Sequence, residues 1–518
     1  MKALALLVVP WLFAVGCSAP AHKAPPPAPP PVVAPSPPVS IKLLYTADEH
    51  GWVAPVVEKG RARGGSAALL ARWHRDEGHC VPTKDDACEG SSTIALSGGD
   101  NWTGPAISSF FKGEVAAEAM KRLGYSASAL GNHELDFGRA TFERNAAIEG
   151  FPYVAANVEP KLAGGGVARP FVTVRRSGVT IAIVGLAFQN TPKVGLRDNY
   201  KGLAFSEEEA ALVQAVPEAW KSGPDAVVVI GHVCAEVLKP IIERHPEFHL
   251  AFVGGGHCHR RSSAVVGDTP LAEAGSFLHE YLRVSLTIDR SRPPEARVIE
   301  KHVDPIDLTW PESAPPPVVP DADLTSLVAG WQTKADAVLG KVIGHTGETF
   351  DADSPQLTNF ITDRWRESLS ADVALLNRFG TRQAIAKGPI KLETIYSVLP
   401  FDNRLVTVKL TGAQLLENVR CCHPHVSGLK TDDAGNIVLS SGKPVDPAAT
   451  YKVVTTDYAY FGGSDFRFEK QDPAGVFGDD WRVPLVKWLE EHPTREGKGL
   501  ESLVDRTVRM PPPKKERH

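Results

Sequence analysis

Five apolar runs in the first half of the chain each end in residues that can bind a metal ion, and this recurrence limits the possible folds more than any other feature. Asp48 and His50 follow IKLLYTA, Asp100 follows STIALSGG, Asn132 follows SASALG, His232 follows AVVVIG, and His257 and His259 follow LAFVGGG. Runs of this length and composition read as strands, so each ligand stands just past a strand's C-terminal end, where open α/β sheets gather their chemistry. Neighbouring glycines let the backbone turn sharply and let an ion approach. Imidazole mixed with carboxylate suits zinc, manganese or iron better than calcium, and seven ligands are too many for one tetrahedral ion. They match two divalent ions about 3.5 to 4 Å apart that share one carboxylate.

The stretch GNHELDFG, residues 131–138, adds a group that is not a ligand. With Asn132 coordinating through its amide oxygen, His133 lies beside the metal, and Asp136, three residues on, can hold that imidazole in orientation. A helix is expected to start near Arg139.

The chain opens with MKALALLVVPWLFAVGC, residues 1–17: one Lys, an apolar run too short for a typical bilayer span, and small residues before Cys17. This reads as an export signal, and Ala14 to Cys17 resemble a bacterial lipobox with Cys17 as the lipidated residue. Ser18 after that Cys favours the outer membrane. Residues 18–40 are dense in Pro and Ala and read as an extended stalk. A net charge of -5 gives no basic face for nucleic acid, and no later stretch is apolar enough to cross a membrane, so a lipid would be the only membrane attachment. Of the other Cys, Cys80 and Cys88 flank a polar loop and are the first choice for a disulfide. Cys421 and Cys422 are adjacent; a bond between them reads as strained, and no partner is assigned to either.

Alternating short apolar runs and amphipathic segments from residue 41 to about 289 indicate a sheet-rich α/β layered domain. Prolines between Arg290 and Pro320 mark the expected boundary, and Ala322 to Leu339 reads as a helix. The division is then a first domain at 41–315, a linker helix at 316–340, a second domain at 341–510 and a tail at 511–518.

The series DEHG, GGDNWTG, GNHELDFG, GH and GHCH, at residues 48–51, 98–104, 131–138, 231–232 and 256–259, resembles the calcineurin-like metallophosphatase domain of bacterial 5'-nucleotidases. VLPFDN at 398–403 and TTDYAYFGGSDF at 455–466 resemble that family's C-terminal substrate domain. The resemblance implies an α/β fold: a layered α/β/β/α sandwich followed by a smaller α+β substrate-binding domain. It assigns Asp48, His50, Asp100 and His259 to one metal, with Asp100 shared, and Asn132, His232 and His257 to the other. His133 becomes the catalytic histidine and Asp136 its partner. The implied activity is release of phosphate from nucleotides outside the cytoplasm, with the base stacked between Phe401 and Tyr458. Asn377 and Arg382 in NRFGTR hold the places of the family's Asn and Arg at the substrate.

This sequence departs from the family pattern at Glu49 in the first motif, at Phe379 in place of a glycine, at Asp353 about where an Arg is expected, and at Ser464, with Asp465 one place late. Those departures leave room for nucleotide sugars, 2',3'-cyclic nucleotides or a non-nucleotide ester as substrate, and for a non-catalytic surface binding protein. A disulfide between Cys234 and Cys258, each beside a ligand histidine, is a further expectation.

Overall fold

The computed structural model describes residues 37–58, 60–83, 88–159 and 168–511. The expected export signal with Cys17, most of the Pro-rich stalk and the end of the tail lie outside the described residues. Among the described residues no helix is long and apolar enough to cross a membrane.

Two six-stranded sheets form the first part. One runs Val298–Asp307, Glu280–Ile288, Val39–Thr46, Thr93–Ser97, Tyr125–Ala129 and Tyr153–Val154; the other runs Arg261–Val266, Thr269–Ala274, Leu250–Gly255, Ala226–Gly231, Val179–Leu186 and Phe171–Arg176. Strand parity divides their side chains between two faces. Leu43 and Tyr45 meet Ile181, Val228 and Phe252 between the sheets. Leu44 and Ala95 point outward onto a cluster with Trp73, Val115 and Phe142 from the helical layer. Val184 and Val229 pack outward onto Leu212 and Leu238, from the helices Glu208–Lys221 and Ala235–Arg244. The result is an α/β/β/α sandwich.

Within each sheet the strands that lead to ligands run parallel to one another. Val39–Thr46 pairs with Thr93–Ser97 and that strand with Tyr125–Ala129, while Val179–Leu186, Ala226–Gly231 and Leu250–Gly255 are parallel in the other sheet. Parallel strands deliver their C-terminal ends to one edge, which is why ligands far apart in sequence converge.

The Pro-containing stretch after Arg290 first continues the sandwich, inside the 41–315 division: Val298–Asp307 pairs antiparallel with Glu280–Ile288, and Thr309–Pro311 pairs with Arg61–Arg63. Pro305 is tolerated there because the strand lies at the sheet edge.

The helix Ala322–Leu339 is capped by Asp321, whose carboxylate accepts the Leu324 N–H at 2.9 Å. It docks on the sandwich through Trp331, whose indole N–H donates to Glu118 at 3.0 Å. A five-stranded sheet follows, in the order His425–Ser427, Val373–Leu376, Thr450–Thr456, Arg404–Thr411 and Val476–Asp480. Ala374 and Leu376 face Phe360, Trp365 and Leu485, and Val373 and Leu375 face Leu415 and Val419, so helices cover both faces.

Among the described residues three disulfides are present: Cys80–Cys88, Cys234–Cys258 and Cys421–Cys422. The first two match expectation. The adjacent pair, to which the sequence assigns no partner, is bonded to itself at the last turn of the helix Gly412–Cys422, just before His423 turns into left-handed backbone at φ 44°.

Candidate functional site

The seven expected ligands come together. The His50 and His259 Nε2 atoms are 3.0 Å apart, and His259 Nε2 is 3.4 Å from Asp48 Oδ1. Beside them, His232 Nε2 lies 3.1 Å from Asn132 Oδ1 and 3.2 Å from His257 Nδ1. Asp100 Oδ2 stands between the two groups, 3.0 Å from His232 Nε2 and 3.6 Å from His50 Nε2. Its Oδ1 accepts the His133 N–H at 2.9 Å, which leaves Oδ2 to be shared.

The chemistry of these contacts fits two cations. His50 Nδ1 donates to the Thr103 carbonyl at 2.7 Å and His232 Nδ1 to the Gly98 carbonyl at 2.9 Å, so each aims an Nε2 lone pair into the cluster. His50 Nε2 thus faces another imidazole, and His232 Nε2 faces an amide and a carboxylate oxygen. Lone pairs meeting at such distances call for positive charge between them. Burial would lower the His232 imidazole, but Asp100 and Asp48 raise it to about 10, a measure of how strongly the site draws a cation. Burial and the neighbouring His259 hold His50 well below the ordinary range, in the neutral form that ligates metals. Among the groups close enough to hold an ion are Asp48, His50 and His259, then Asp100, His232 and His257, and a third that joins His50 and Asp100 to His133.

Five of the ligands sit in left-handed backbone: Asp48 at φ 53°, His50 at 48°, Asp100 at 62°, His257 at 72° and His259 at 53°. Each such residue costs about 1 kcal/mol and persists where the surroundings over-determine it. Glu134, inside the GNHELDFG motif but given no role from sequence, is one source of that support. Its carboxylate accepts the N–H groups of Gly131 at 2.6 Å, Asn101 at 2.6 Å and Asp100 at 3.2 Å, tying two ligand loops together. Gly99 and Gly131 allow that approach: a Cβ on Gly99 would fall 2.8 Å from the Gly131 nitrogen. Glu49, noted only as a departure, accepts from the Thr46 and Ser97 hydroxyls beneath the Asp48 turn. Tyr200 donates to the Asn132 carbonyl at 2.6 Å, and Phe188 stacks on His257 with ring centroids 4.5 Å apart. A long-range carbonyl or ring contact leaves no local sequence signal; the acid in GNHE was the one clue available.

His133 is 7% exposed, and its Nδ1 lies 2.6 Å from Asp136 Oδ2. Burial favours the neutral imidazole, but Asp136 and then Asp100 outweigh it and raise the pKa. A proton therefore stays on the ring, with Nδ1–H directed to Asp136. The ring also stacks on Phe401, centroids 5.5 Å apart and planes within 14°.

A cleft of about 630 Å³ joins this cluster to the second sheet region. Asp100, Asn132, His133 and His259 line one side; Asn377, Arg382, Phe401 and Tyr458 line the other. All four expected substrate residues therefore reach the same space as the ligands. Among the described residues Arg382 makes no ion pair, and its guanidinium carbon lies 5.8 Å from the Phe401 ring centre. Asn377 Oδ1 is buried without a hydrogen-bond donor. Phe379 stands 72% exposed on the wall at φ 63°, the left-handed conformation a glycine would adopt freely. Asp353 also lines the cleft; the His425 imidazole, its Nε2 3.7 Å from Oδ1, lowers the Asp353 pKa, so it presents negative charge where an Arg is expected. Ser464 takes a different role from an acid, its hydroxyl 3.1 Å from the Tyr458 phenol oxygen, and Asp465 does not line the cleft.

Residues 338–471 match the family model of the 5'-nucleotidase C-terminal domain. The chain is 25% identical to Protein UshA of Escherichia coli, over 82% of this chain and 86% of that protein. It is 24% identical to a 5'-nucleotidase of Vibrio cholerae, over 82% and 85%. A solved structure of a 5'-nucleotidase precursor from Thermus thermophilus superposes with a TM-score of 0.76 at 22% identity, covering 91% of this chain and 99% of that one. Residues 338–471 thus carry a 5'-nucleotidase C-terminal domain, and the chain is similar to bacterial 5'-nucleotidases over most of its length.

Proposed function

We propose that this chain is a metal-dependent phosphoric ester hydrolase that releases phosphate from nucleotides outside the cytoplasm. The observation that carries this reading is the single cleft, in which the His and Asp cluster faces Arg382, Asn377 and two aromatic rings. Asp48, His50, Asp100 and His259 would hold one divalent ion, and Asp100, Asn132, His232 and His257 the other. Such a pair supplies charge for the phosphoryl oxygens and a water acidic enough to attack near neutral pH.

The chain's own residues do the rest. His133, its proton kept in place by Asp136, presents Nε2–H to a phosphoryl oxygen as negative charge builds there. Arg382 forks onto the same phosphate. Phe401 and Tyr458 offer flat faces to a base, and stacking of that kind tolerates many bases. Asn377 Oδ1 is an acceptor for a substrate hydroxyl. In this reading residues 41–315 carry the chemistry and residues 341–510 the substrate selection, joined by the helix in 316–340.

Export with a lipid on Cys17 completes the reading, supported by the sequence of residues 1–17. A Cys17→Ser protein that still partitions with membranes would refute the anchor. The test of activity is phosphate release from nucleoside monophosphates and from an aryl phosphate, with manganese or zinc and with chelator. Chelator-sensitive release that favours the nucleotide is expected; release from the aryl ester alone would refute the nucleotide assignment.

A further inference from the structure

A second cleft, of about 450 Å³, is lined by Arg61, Arg63, Arg261, His279 and Asp307, and it shares His259 with the substrate cleft. Its charge is unbalanced. Arg261 is matched by Glu280 at 2.8 Å and by Asp307 at 3.4 Å, but among the described residues Arg61 and Arg63 pair with no carboxylate. Arg63 Nε and His279 Nε2 are buried polar atoms without a hydrogen-bond partner, a costly condition unless a ligand satisfies them. Burial, then Arg63 and Arg261, lower the His279 imidazole to about 4, so the ring is a neutral donor or acceptor in a positive field.

The fold holds these groups against the metal cluster. The Arg61–Arg63 strand pairs with Thr309–Pro311, and the Leu308 N–H donates to the His279 carbonyl at 2.8 Å. Phe277 and Leu278, at φ 63° and 55°, form a strained turn between the two clefts. The Phe277 N–H donates to the Asp48 carbonyl at 2.8 Å, and its ring lies edge-on to both His259 and His279, at 5.3 and 5.7 Å. Strain retained at such a junction is typical of ligand-binding turns.

We propose that the cleft formed by Arg61, Arg63, Arg261 and His279 is a second binding site, for a phosphate-type oxyanion, separated from the substrate cleft by His259. Two guanidinium forks free of carboxylates suit a tetrahedral oxyanion better than a carboxylate-bearing or neutral ligand. The oxyanion is either free phosphate or a further phosphate group of a substrate longer than a monophosphate.

The test is calorimetric titration of the manganese-loaded, full-length protein with inorganic phosphate. Two sites are expected in the wild type, and one in an Arg61→Ala, Arg63→Ala double variant. Arg61→Glu alone, at an exposed position, serves if the double variant does not fold, and it is expected to weaken the second site at least tenfold. The two sources separate in kinetics on the same variants. A fall of at least fivefold in kcat/KM for a diphosphate ester relative to a monoester assigns the site to a substrate phosphate. An unchanged ratio with the second titration site lost assigns it to free phosphate. One phosphate site in the wild type, or two sites intact in both variants, would overturn the proposal.

Discussion

The sandwich wall of the cleft holds its chemistry rigidly, whereas the wall from the second sheet region offers groups that are mostly free. On the sandwich side four of the seven expected ligands have a second tie: carbonyls hold His50 and His232, a backbone N–H holds Asp100, and the His257 N–H donates to the Asp48 carboxylate at 3.0 Å. On the other side, among the described residues, Arg382 has no ion pair and Asn377 Oδ1 has no donor, and Phe379 stands out from the surface in strained backbone. A metal centre needs ligands fixed to a fraction of an ångström, while a surface that selects substrates keeps its groups available. Mutations should therefore act on turnover and metal content on one wall, and on KM and selectivity on the other.

The largest effect is expected at His133. His133→Ala should lose about 10²- to 10⁴-fold in kcat with its metals retained, as for loss of an acid-base group; metal analysis beside phosphate release checks both halves. Glu134→Ala unties the loops of Asp100 and Asn132 and should weaken metal affinity by roughly 10- to 100-fold, as other losses of outer-layer support do. Competition with a chelator of known affinity measures it, and unchanged affinity would deny Glu134 its role. Across the cleft, Arg382→Ala removes charged hydrogen bonds of about 1.5–3 kcal/mol, so kcat/KM should fall roughly 10- to 100-fold with metal content unchanged.

Much of the first wall was legible because metal ligands are specific residue types placed at strand ends, where apolar runs and glycines announce them. Its supports were not. Thr103 and Gly98 act through backbone carbonyls, and Phe277 and Phe188 act through rings brought close by the sheets, none of which has a pattern in sequence. The strand Val298–Asp307 was obscured because an edge strand half open to solvent carries Lys, Glu and His and tolerates Pro305. On the second wall the aromatic and charged residues were identified, but the sequence did not show that Ser464 would serve the Tyr458 phenol or that Asp353 would stay charged beside His425.

Smaller effects sharpen the contrast. If His133 acts protonated, its raised pKa sets the alkaline limb, and activity should fall as pH rises and the ring loses that proton. Asp136→Asn removes the nearest raising charge, and the alkaline limb of the pH profile should move to lower pH; an unmoved limb would separate Asp136 from His133. The least effect is expected at Phe379. Phe379→Gly relieves left-handed backbone and should stabilise the protein by up to about 1 kcal/mol, read as a rise in Tm, while changing KM only a few-fold.

Two cations would be held by the seven ligands, with Asp100 contributing to both sets and His133 to neither. The direct measurement is metal stoichiometry of the purified protein after dialysis against limiting divalent ions. Two ions per chain are expected in the wild type and in His133→Ala, and fewer in Asp100→Ala. A single ion in the wild type, or two retained without Asp100, would contradict the account.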